Sequence, residues 1–184
     1  RSTDGYLVLD VRNDVQALAM EDVWAILDSG TDAYFEGNPY IASALLDALA
    51  QRGIPVLSVY MSPVTREELL HLRSQGERQA AAIVTDIMRR KLLRRTVRAK
   101  SILGLPDLQD IEARCGAAYR ELSYAPRFQW VFANHDGEDS ENWEAFYHPI
   151  GDARKCVLDL ILLLEGEPPR FAETWGDVTW EAGQ

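Results

Sequence analysis

Two short apolar runs, PVLSVYMS at residues 55–62 and FQWVFAN at residues 128–134, constrain the fold of this chain most. Neither alternates apolar with polar residues. Each therefore reads as a strand covered on both faces, as in a parallel sheet between helices. Helix signals surround them. Asn38 is placed to cap a helix with Pro39 at its first position, where a missing N–H costs nothing. Ile41, Leu45 and Leu49 follow, and Gly53 closes the segment. Thr65 and Glu68 have the spacing of a capping box for a second helix, which Gly76 ends. Leu108, Ile111, Cys115, Ala118 and Leu122 mark one face of a helix over residues 107–122. Gly151 opens a last long helix that stops at Gly166. Strands are also expected at Tyr6–Val11 and residues 32–37, and a short helix at residues 21–27. The aromatic tail beyond Pro168 receives no element. The expectation is an α/β chain with a mostly parallel sheet flanked by helices. Ligands bind such sheets beyond the carboxyl ends of the strands, a rim that would hold Glu36, Ser62 and Asn134.

The 184 residues suit one domain with a real core. A net charge of -10 argues against nucleic-acid binding across the whole surface. The longest apolar run, residues 157–164, is too short to span a bilayer, so no membrane partner is expected. Cys115 and Cys156 are widely spaced in helix-like sequence, which predicts no disulfide framework and a reducing cytoplasm. The composition inverts between Gly76 and Asp107. Eight of the 19 basic residues lie between Arg78 and Lys100. There Val84, Met88 and Leu92 form an apolar stripe, while Arg90, Arg94 and Arg98 line another face. That face is either a surface for phosphates or a solvated counterweight to the acidic body.

The segment VFANHDGEDSENWEAF, residues 131–146, gathers His135, Asp136, Glu138, Asp139 and Glu141. The spacing does not fit a calcium loop, and one histidine among acids is weak grounds for zinc. It reads as a solvated turn anchored by Trp143 and Phe146, and no metal ligand is assigned. His71 and His148 have no recognisable partners in the sequence.

Several stretches together resemble the guanylate kinase family. SVYMSPVTREELLHLRSQG resembles its strand, turn and arginine-ended helix, and DLQDIEARCGAAYRELSYAPRFQWVFAN its next helix and strand. ILDSGTDAYFEG and GDARKCVLDLILLL fit an earlier helix–glycine–strand and the last core helix. The resemblance implies a P-loop kinase-like core over residues 1–184, a basic helical lid insert at 77–106 and an acidic, aromatic insert at 137–151. It implies an ATP-dependent phosphotransferase that uses Mg²⁺ and acts on a nucleotide or another small acceptor. Arg73 would match a lid arginine and Arg114 the arginine bridging both substrates' phosphates, since guanidinium groups stabilise phosphoryl transfer. Glu36 would complete the catalytic set by holding magnesium or orienting the acceptor. Asn134 and His135 would sit beside the nucleotide, with Arg90 and Arg94 facing phosphates from the lid. Each has a plainer alternative: Arg114 pairing with Asp110, Arg73 and Glu36 as charges at helix ends. The chain contains no GxxxxGK[ST] segment, which the resemblance places before Arg1, and no match to the family's YGT element near residues 13–20. The alternative that the resemblance leaves open is a non-catalytic guanylate kinase-like protein-interaction module.

Overall fold

The computed structural model describes residues 2–3, 5–12, 14–100, 102–137, 140–144 and 146–180. The chain forms two compact units, Arg1–Val56 and Leu57–Gln184.

In the first unit, β1 (Ser2–Thr3), β2 (Tyr6–Val11) and β3 (Asp14–Ala19) form an antiparallel sheet in that order. The β2–β3 register runs from Val11 opposite Asp14 to Tyr6 opposite Ala19. Arg12 opens the connecting turn at φ 52, the left-handed conformation that a tight hairpin turn requires. Two helices follow, α1 (Met20–Asp28) and α2 (Pro39–Gln51). Asn38 caps α2 as expected, its side chain accepting from Ile41 N at 3.1 Å. Met20, Leu45 and Leu49 form the core of this unit, with Leu7, Leu18, Trp24 and Leu27 packed against it. The strand expected at residues 32–37 does not form. This segment is irregular, and Tyr34 is 86% exposed.

The second unit holds one parallel pair, β4 (Val59–Ser62) and β5 (Trp130–Ala133), in the register Val59 with Trp130 through Ser62 with Ala133. Around it lie α3 (Arg66–Ser74), α4 (Glu77–Ala99), α5 (Leu105–Glu121), a 3-10 turn at Leu122–Arg127 and α6 (Gly151–Leu164). Thr65 and Glu68 make both bonds of the expected capping box on α3.

The expected mostly parallel sheet, P-loop kinase-like core and helical lid are therefore corrected. Among the described residues, helices predominate over two small sheets, one of three antiparallel strands and one of two parallel strands. The run at residues 55–62 pairs over only four positions, and residues 14–19, which carried no strand signal, supply β3 instead. The basic segment is not a lid. Ala80, Val84 and Leu92 of α4 are buried, with Val84 in the main core and Leu92 packed with Ile111 and Cys115 of α5. The same four-residue stripe that marked the helix also ties it down.

The tail is part of this core. Glu173 bridges Val131 through two backbone hydrogen bonds of 2.8 and 2.9 Å. Trp175 is 0% exposed among Val64, Leu69, Val84, Leu122 and Val131. Among the described residues, no helix is long and apolar enough to cross a membrane.

Candidate functional site

The carboxyl ends of β4 and β5 do meet, as Asn134 N donates to Ser62 O at 2.8 Å. Asn134 is buried, and its side-chain oxygen and its carbonyl are both engaged. Its side-chain oxygen accepts from Asp136 N at 3.0 Å, and its carbonyl accepts from Lys91 of α4. Asp136 then ties the acidic loop to α6, accepting from Asn142 Nδ2 at 2.6 Å and from Ala153 N at 3.0 Å. Gly151 is required here: its φ is +64, and a Cβ would lie 2.7 Å from Asn142 Nδ2 and 2.8 Å from Asp136 Oδ2. Trp143 anchors the loop through Gly137 O at 2.6 Å, whereas Phe146 is exposed. Glu138 and Asp139 lie outside the described residues. Among the described residues no cluster of three or more histidine, cysteine or acidic side chains could hold a metal.

His135 is held between two helix starts. Its Nδ1 lies 2.6 Å from Asp152 Oδ2 on α6, and its Nε2 lies 2.8 Å from Glu68 Oε2 on α3. Lys155 completes the row, donating to Asp152 Oδ1 at 2.7 Å. Burial alone would lower the pKa of His135, but its bonds to Glu68 and Asp152 outweigh this and raise it. Burial likewise opposes ionisation of Asp152, yet the bonds from Lys155 and His135 bring its pKa down to about 2. A cleft of about 260 Å³ opens beside this row, lined in part by Phe132, Cys156 and Phe171. The cleft lacks an activated nucleophile among the described residues. Burial pushes the Cys156 thiol up to about 11, so it stays protonated at neutral pH, and both nitrogens of His135 are already engaged.

The row makes a pH prediction. A raised histidine pKa contributes stability that is complete below the unfolded value of about 6.5 and lost as pH rises through the folded value. Glu68 and Asp152 act oppositely, losing their contribution as acid protonates them. Thermal melts of wild type should fall as pH rises above about 6.5. His135→Gln should flatten that decline. Parallel wild-type and variant profiles would remove the clamp.

The other expected site residues meet other partners or solvent. Arg73 is 17% exposed and faces the tail. It donates to Glu77 Oε1 at 2.6 Å and Thr179 O at 2.8 Å, and its guanidinium sits 4.7 Å from the Trp180 ring centroid. Glu77 also accepts from Tyr119, whose ring meets Trp180 edge-on. Arg114 lies 3.8 Å from Asp110, the plainer alternative, and Arg90 pairs with Asp86 at 3.1 Å. Arg94 is exposed on α4. Glu36 belongs to the first unit, in irregular chain, and accepts from Tyr34 at 3.3 Å.

The least ordinary surface is α6. Ala153, Cys156 and Asp159 form its buried side, so the one charge within VLDLILLL is the part that points inward. Asp159 is 1% exposed and accepts from the backbone nitrogens of Arg170, Phe171 and Ala172 at 2.8, 2.8 and 2.5 Å. Four of the aliphatic residues are exposed, Leu158 at 37%, Leu160 at 41%, Ile161 at 47% and Leu164 at 71%, while Val157, Leu162 and Leu163 are half-buried. Over its carboxyl half the helix thus departs from the usual amphipathic arrangement. Sequence reasoning missed this face, because burying a carboxylate is costly unless hydrogen bonds satisfy it, and the three backbone donors come from residues 170–172, beyond the helix.

Comparison with protein-family models, with curated proteins and with solved structures finds no match to this chain, so nothing there identifies a guanylate kinase-like family.

Proposed function

We propose that this chain is a non-catalytic protein-interaction module that docks through the outward aliphatic face of α6. The supporting observation is the carboxyl half of α6, which leaves four large aliphatic side chains in solvent on one helix. Contiguous apolar surface of this kind marks interaction sites on water-soluble folds. The reading departs from the ATP-dependent phosphotransferase of the resemblance, because Arg73 and Arg114 are each engaged with other partners. The proposal includes a reducing, cytoplasmic setting, which the free, buried Cys115 and Cys156 support.

The test uses the apolar dye 1-anilinonaphthalene-8-sulfonate on protein at about 0.5 µM, dilute enough to leave a weak interface open. The wild type should bind dye, and Ile161→Asp should cut the signal severalfold while melting normally. Equal dye binding by both proteins would sink the docking face. Turnover of Mg²⁺·ATP by the chain would overturn the non-catalytic reading.

A further inference from the structure

Taking that docking face as given, we infer that its partner is a second copy of this chain, with two α6 helices packed antiparallel across a two-fold axis. The argument is the pattern of the face. Opposite the buried Ala153, Cys156 and Asp159, helical periodicity places Arg154, Leu158, Ile161 and Glu165 in one stripe. The stripe is basic at its amino end, aliphatic in the middle and acidic at its carboxyl end. Arg154 and Glu165 are exposed, and neither side chain pairs with a described residue.

A two-fold interface must be complementary to itself. This stripe is, and in one register. When Arg154 of one copy faces Glu165 of the other, Leu158 faces Ile161 and Ile161 faces Leu158. The two ion pairs and the aliphatic centre thus fall into place together. A parallel arrangement would instead set arginine against arginine. Antiparallel packing also sets each helix's amino end beside the other's carboxyl end, so the two dipoles attract. A lipid surface fits less well. Glu165 ends the stripe, and the chain carries a net charge of -10, which an anionic membrane repels.

Sedimentation equilibrium up to about 100 µM should show a monomer–dimer equilibrium for the wild type. Ile161→Asp should weaken it by about 100-fold or more, because it places a charge in the aliphatic centre. Arg154→Glu and Glu165→Arg should each raise the dissociation constant about tenfold by setting like charges together. Mixing these two variants should restore dimer, since each then offers the charge the other needs. Failure of the mixture to recover would overturn the antiparallel register. A wild type that stays monomeric overturns the second copy. If that monomer still binds the dye through Ile161, the docking face itself survives and only the partner is wrong. Loss of the dye contrast removes both. Flotation of wild type, but not Ile161→Asp, with phosphatidylserine vesicles would overturn the second copy in favour of lipid.

Discussion

Trp175→Ala should be among the most destabilising single changes in the second unit, costing about 3–5 kcal/mol. The indole is fully buried between residues from β5, α3, α4 and the 3-10 turn, so its removal opens a cavity where four elements meet. Its Nε1 donates to Glu173 Oε2 at 2.8 Å, and the same oxygen accepts from Arg66 N at 2.8 Å. The substitution therefore removes apolar packing and also loosens a carboxylate that ties the tail to the start of α3. A domain is stable by only about 5–15 kcal/mol, so a large share of that margin would go. Urea unfolding checks this: the midpoint should drop with the slope unchanged. A loss below about 1 kcal/mol would mean that the tail is an appendage and not part of the core.

That expectation could not have come from the sequence alone, because RFAETWGDVTWEAGQ carries neither helical nor strand period. Its order comes from outside itself: one backbone bridge at Glu173, the Arg66–Asp177 ion pair, Arg73 against Trp180, and the bonds from Asp159. Signals confined to neighbouring residues were legible. The cap at Asn38, the capping box at Thr65 and Glu68, and the stripe Val84, Met88, Leu92 each marked a real helix. Signals that depend on distant partners were not. An apolar run says that a segment is covered, but not by how many strands. The run at residues 55–62 therefore suggested a wide sheet and gave four paired residues. β3 was invisible because Asp14, Gln16 and Ala17 offer no strong strand preference, and its pairing is imposed by β2 across a tight turn.

The site follows the same division. Of the expected rim of Glu36, Ser62 and Asn134, the last two meet at the strand ends, because a parallel pair fixes its own neighbourhood, whereas Glu36 lies in the first unit. The role of Arg73 was not legible. A helix-end arginine looks the same in sequence whether it waits for a phosphate or holds Thr179 and Trp180. His135 was singled out for its place after a strand, but the carboxylates that raise its pKa come from residues 68 and 152, far along the chain.

Asp159→Ala is the complementary test, and it should cost about 2–4 kcal/mol. The carboxylate is acceptor-only when ionised, and here it faces three successive backbone donors. Alanine supplies no acceptor, so the N–H groups of residues 170–172 must find water or remain unpaired where the chain turns back on α6. Asp159→Asn should recover little, because its amide group would aim N–H at N–H on one side. A normal melt in Asp159→Asn would show that one oxygen is enough to hold the turn. Asp159→Ala and Trp175→Ala act on the same returning segment, so their effects should not add. Once Trp175 is gone the tail has less order to lose, and the double variant should fall short of the sum by about 1 kcal/mol or more. Full additivity would mean that α6 and the core hold the tail independently.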